Sequence, residues 1–119
     1  MRFLILLSPG VNWREGVILH NQPFMPEHAV YVQQKYNEGK IIFAGPFGDL
    51  SGGAILIDVV DEEEVKDIIE NDPSVKNGVF CYELKRWGEL MSKFENINPN
   101  FGEDYIKHKH ETQKNLNII

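Results

Sequence analysis

The first apolar run of the chain, Phe3-Leu4-Ile5-Leu6-Leu7, is short and unbroken by polar residues. That pattern predicts a strand buried on both faces rather than an amphipathic helix. A long turn-rich stretch follows from Pro9 to Met25, with Gly10, Gly16 and Pro23 spread through it. Loops of that length inside compact domains often serve as lids or pocket walls. From about Pro26 to Glu38 the pattern becomes helical, with Ala29, Val32 and Tyr36 spaced as one core-facing stripe. Pro26 suits a first turn, where its missing N–H has no intrahelical partner to lose. Gly39 suits the left-handed residue just past the helix end.

Ile41 to Ala44 reads as a second strand, stopped by Gly45-Pro46. The stretch from Gly45 to Gly53 is rich in turn formers and predicts a hairpin connection. Ala54 to Val60 makes a third strand, apolar on both sides apart from Asp58. Asp61 is an N-cap with Glu64 at capping-box spacing, and Val65, Ile68 and Ile69 supply the buried stripe of the helix it opens. Asp72-Pro73 is read as the end of that helix, and Val79 to Trp87 as the fourth strand.

The order βαββαβ predicts a ferredoxin-like α+β domain: a four-stranded antiparallel sheet under two crossover helices. Two helices cover one sheet face only, whereas the first and third strands are apolar on both. A second copy of the chain is the simplest cover, which predicts a homodimer with sheets face to face.

Beyond Trp87 the composition shifts toward asparagine. The domain is assigned to residues 1–88 and a C-terminal extension to residues 89–119. Asp104 to Lys114 is expected to be helical, with Ile118 and Ile119 pinning its end. At 119 residues the chain holds one domain core, and 42% apolar with 25% charged residues is a globular profile. The net charge of −6 disfavours nucleic acid as a partner, because phosphate backbones are bound by clustered Lys and Arg. The apolar start at Met1 to Ser8 is too short for a secretory core, and no run is long enough to span a membrane. Cys81 stands alone, which fits a reducing, cytoplasmic setting; its apolar surroundings predict a buried structural thiol.

His28, near the start of its helix, and Asp72, at the end of the next, are the residues that could carry chemistry. If the fold joins them, the carboxylate orients an imidazole, a unit able to move protons. The helix N-terminus disfavours imidazolium and the carboxylate favours it, a balance suited to both taking and giving a proton. The same pair could equally be a hydrogen bond that ties two helices together. The glycines at 48–53 make no phosphate loop, since no Gly-Lys-Ser/Thr follows. His108 and His110 fall on different sides of a helix, and Asp104, His108 and Glu111 read as a solvated face, so no metal site is expected. His20, in the long loop, is an accessory candidate.

Several of these pieces occur together, in order. They are His28 with Gly39 and Ala44-Gly45-Pro46, then Asp49 with Gly52-Gly53, Asp61 to Glu64, Asp72-Pro73 and Gly78-Val79. From about Phe3 to Trp87 the chain thereby resembles the YCII-related (YciI-like) family. Leu6 to Gly10, Trp13, Gly16 and Gln22-Pro23 are similar to a subgroup with a longer first loop. The resemblance implies dimeric α+β barrels, and a candidate active-site pair that matches His28 and Asp72. It also implies activities of lyase or dehydrochlorinase type on small cyclic molecules. The extension beyond Trp87 departs from the family's usual short ending.

Two readings of function follow. In one, the chain is a cofactor-free enzyme of lyase or isomerase type. His28 then transfers the proton, Asp72 orients it, and Trp13, Gly45, Pro46, Asp49 and Gly53 form pocket walls around a small-molecule ligand. In the other, it is a non-catalytic binding or interaction module with a structural His–Asp pair.

Overall fold

The computed structural model describes residues 1–119, which divide into two compact units, Met1–Trp87 and Gly88–Ile119. In the first unit, strand β1 (Arg2–Pro9) leads through a single 3-10 turn (Leu19–Asn21) to helix α1 (Met25–Asn37). Strands β2 (Ile41–Pro46) and β3 (Gly53–Asp58) follow as a hairpin, then helices α2 (Glu62–Glu70) and α3 (Pro73–Lys76), then strand β4 (Phe80–Arg86). The strands pair antiparallel in the order β2-β3-β1-β4, which is the ferredoxin-like α+β sheet predicted from the element order.

Alternation along β1 sends Phe3, Ile5 and Leu7 into the core, where they meet Ile55 and Ile57 of β3. Met25 of α1 and Val65, Ile68 and Ile69 of α2 complete that core from the helical side. On the opposite sheet face Leu4, Leu6 and Leu56 remain half-exposed. Gly52 ends the hairpin where only a glycine fits, because a Cβ there would lie 2.1 Å from the Leu7 carbonyl oxygen. The register of β2 on β3 contains a bulge: Ile41 pairs with Ile57, but Phe43 pairs with Leu56 and Ala44 with Ile55.

Three local expectations are corrected. Asp72 does not close α2; Asn71 does, and Asp72 is the N-cap of α3. The Asp-Pro pair reads as a stop because the residue before proline leaves the helical region, yet the same geometry begins the next helix. Cys81 is exposed, because it alternates with buried Phe80 on β4 and points away from the helices. Of the stripe on α1, only Val32 packs against the core, half-buried, whereas Ala29 and Tyr36 are exposed.

Helix α2 starts as expected. Asp61 accepts a hydrogen bond from the Glu64 amide at 2.9 Å, and three glutamates occupy the first turn at the positive helix end. The Glu64 carboxylate accepts from the Val60 amide and pairs with Lys40.

The second unit contains a short turn closed by Ser92 and Ile97 and helix α4 (Glu103–Asn115), which buries no residue. Ile118 and Ile119 are exposed. No helix is long and apolar enough to cross a membrane.

Candidate active site

The segment leading into α1 ends at Phe24, held in the left-handed region at φ 63°, after which Pro26 occupies the first turn. The His28 amide closes that turn on the Phe24 carbonyl at 2.9 Å. His28 thereby stands on the side of α1 that faces the start of α3. Asp72 meets it there, 1% exposed, with both carboxylate oxygens committed. Oδ1 accepts from the Ser74 amide at 2.9 Å and from the Ser74 hydroxyl at 2.8 Å, while Oδ2 lies 2.6 Å from His28 Nδ1. Ser74 is wholly buried, and its Oγ is also 3.2 Å from Nδ1.

Hydrogen-bond accounting fixes the tautomer. The serine hydroxyl and amide donate to Oδ1, the carboxylate accepts on both oxygens, and Nδ1 therefore carries the ring proton. In the neutral ring the lone pair then lies on the other nitrogen, Nε2. The imidazole is further seated by Phe80, whose ring it meets edge-on at 5.6 Å, and Trp13 stacks behind Phe80 at 5.8 Å. Tyr31 donates to the Ile68 carbonyl at 2.6 Å; burial first, then the charge of Asp72, pushes its phenol up to about 12.

His28 also lines an open cavity of about 700 Å³. One wall is the face of α1 carrying His28, Ala29, Val32, Gln33 and Tyr36, which explains why that stripe is not buried. The facing wall comes from Ile41 to Pro46 and Gly52 to Ile55. Past the bulge the positions turned toward α1 are small: Ala44 opposite Ile55, and Pro46 opposite Gly53. Leu19 and His20 close the side belonging to the long first loop. No Lys, Arg, Asp or Glu lines the cavity.

Of the site residues singled out in the sequence, His20, His28, Gly45, Pro46 and Gly53 line this cavity. Asp72 stands behind His28 rather than in the wall, and Trp13 one aromatic layer back. Asp49 is turned to its own hairpin, where it accepts from the Ser51 amide at 3.0 Å and the Ser51 hydroxyl at 2.6 Å. Those bonds hold its carboxyl below the ordinary carboxylate range. No three His, Cys, Asp or Glu side chains converge as metal ligands. Ser74 was not singled out in the sequence, and Gln22 only as part of the Gln22-Pro23 pair. Ser74 carries no periodic signal, although an Asp-Pro-Ser start would have placed it at a capped position. Gln22 is 2% exposed and its amide is fully engaged inside the long loop, where a polar residue announces nothing.

Comparison with known proteins adds three findings. The family model of the YCII-related domain matches residues 1–88. The uncharacterized protein YjpA of Bacillus subtilis (strain 168) is 31% identical over 67 residues, covering 56% of this chain and 79% of YjpA. Among solved structures, the chain is similar to the 5-chloro-2-hydroxyhydroquinone dehydrochlorinase TftG of Burkholderia phenoliruptrix AC1100, in complex with 2,5-dihydroxybenzoquinone. That likeness has a TM-score of 0.56 at 25% identity and covers 74% of this chain and 94% of TftG.

Proposed function

Since the chain belongs to the YCII-related family, we propose that it is a cofactor-independent small-molecule enzyme of lyase or isomerase type, working through a His–Asp pair. The observation that carries this reading is a single side chain: His28 borders the cavity while its Nδ1 is bound to a buried carboxylate at 2.6 Å. Asp72 holds the tautomer and the ring orientation, and Nε2 takes a proton from the ligand. The apolar walls, including Gly45, Pro46 and Gly53, suit a small ring. The dehydrochlorinase TftG, structurally alike, supports small cyclic substrates as the class to try first.

The test assays the full chain with 5-chloro-2-hydroxyhydroquinone and related rings, following chloride release and ring absorbance. His28→Ala, with its circular dichroism unchanged, is expected to lower turnover by roughly 10²–10⁴-fold, the usual contribution of general acid–base catalysis. Turnover that survives the substitution overturns the reading.

A second reading, a non-catalytic binding module, is favoured by how completely Asp72 is satisfied: a knot of that kind also joins α1 to α3. It expects 2,5-dihydroxybenzoquinone to bind and come off unaltered, and no ring in the panel to turn over.

The half-exposed Leu4, Leu6 and Leu56 further support a homodimer through the uncovered sheet face. Glu83 and Lys85, paired at 3.2 Å on the same face of β4, present both signs of charge, as a self-complementary two-fold contact requires. Sedimentation at low micromolar concentration should give twice the chain mass. A stable folded monomer would remove this part of the proposal.

A further inference from the structure

A proton acceptor alone does not complete a reaction in an apolar cavity. When His28 removes a proton, the electron pair left behind needs a donor, and few candidates line the space. With no Lys or Arg in the walls, the polar side chains are His20, His28, Gln33 and Tyr36. Gln33 gives one amide N–H to Asn37 at 3.0 Å, along the exposed surface of α1. Tyr36 lies two helical turns beyond His28, about 12 Å at 1.5 Å per residue. His20 remains. Its imidazole has no hydrogen-bond partner within the chain, and it borders the same cavity as His28.

The position of His20 is built. Gln22, two residues on and buried, accepts from the Arg14 amide at 2.8 Å. Its own amide donates to the Arg14 carbonyl at 2.8 Å and the Val17 carbonyl at 2.7 Å. Leu19, the residue before His20, is anchored in the core. The turn that presents His20 is therefore held from both sides, which distinguishes it from a loose loop histidine.

We propose that His20 is the second acid–base residue of the cavity, opposite in role to His28, and that the ligand is a ring whose oxygen His20 reaches. This rests on the enzymatic reading above. In the step it implies, His28 Nε2 takes a proton from a ring carbon and that C–H pair becomes a C=C bond. The adjacent C=O π pair moves onto oxygen, which takes a proton from the His20 imidazolium. Both rings then reset by exchanging one proton each with water, and no further reactant is consumed. Gln22 is a positioning residue that acts through His20.

The experiment follows the four histidine rings of the full chain by NMR while 2,5-dihydroxybenzoquinone is added. Resonances of both His20 and His28 are expected to move, with His108 and His110 as internal controls that stay put. His20→Ala should weaken binding of the quinone at least tenfold and remove one limb from the pH dependence of its Kd, with Tm unchanged. Gln22→Ala should weaken binding in the same direction, and less. A purely structural histidine would lower Tm and leave the pH dependence intact. If the His28 resonance moves, the His20 resonance does not, and His20→Ala binds within twofold of the parent, the inference is overturned while the enzymatic reading stands. If the quinone fails to bind at millimolar concentration, or neither ring responds, both fall.

Discussion

Two aspartates open helices in this domain, and they do the same local job in opposite settings. Asp61 is exposed and accepts one bond, from the Glu64 amide at 2.9 Å. Asp72 is 1% exposed and accepts from the Ser74 amide at the same distance, but its remaining oxygen is turned to an imidazole 2.6 Å away. Water can replace the cap at Asp61. At Asp72 the amide, the serine hydroxyl and the ring nitrogen would all lose their acceptor, and the first two are buried. A cap becomes part of a candidate active site through burial and a spare oxygen, not through a different residue type.

The sharpest way to break this comparison is to remove both carboxylates in turn. Asp72→Ala is expected to cost about 3 kcal/mol or more, since it orphans buried donors, whereas Asp61→Ala should cost about 1 kcal/mol, an ordinary N-cap loss. Urea unfolding of the two variants measures both, and equal losses would mean that burial confers no distinction. Ser74→Ala should fall between them, about 1–2 kcal/mol, because Asp72 keeps the backbone amide and the imidazole. A loss as large as that of Asp72→Ala would make the hydroxyl, rather than the carboxylate, the centre of the knot.

The smallest effect concerns acid. The hydrogen bond from Lys40, then that from the Val60 amide, holds the Glu64 carboxyl below its ordinary range. A carboxyl depressed in the folded state stabilises above its unfolded value, near pH 4.5, and that contribution disappears as pH falls through the folded value. Lys40→Met should therefore lower Tm slightly near neutrality, leave it unchanged in acid, and so flatten the fall between them. At the other extreme, Tyr31 is raised to about 12. Its stabilisation is complete below pH 10 and is lost as pH climbs toward 12, a slope that Tyr31→Phe should remove.

How much of this was legible in the chain depends on which physical signal each residue leaves. The β-strands and their order could be read because unbroken apolar runs between turn residues have few other outcomes. Asp61 could be read as a cap because Glu64 and a periodic helix follow it. Asp72 was expected as a candidate site residue, yet its role as the cap of α3 was hidden, since a four-residue helix has no periodicity and Asp-Pro resembles a stop. The stripe Ala29, Val32, Tyr36 shows a deeper limit. Apolar spacing on a helix says that a face avoids water, and a core and a cavity wall meet that condition alike. Cys81 was misread for the related reason that a short apolar run does not say which of its alternate positions points inward.

The bulge on β2 has a consequence out of proportion to its size. With unbroken pairing, the ring of Phe43 would take the place opposite Ile55 and stopper the hollow from below. One extra residue in the edge strand pairs Phe43 with Leu56 instead and puts a methyl group, Ala44, opposite Ile55. The room available to a guest molecule is thus written in the backbone count of a single strand, and lineages that gain or lose that residue should differ in what they can admit.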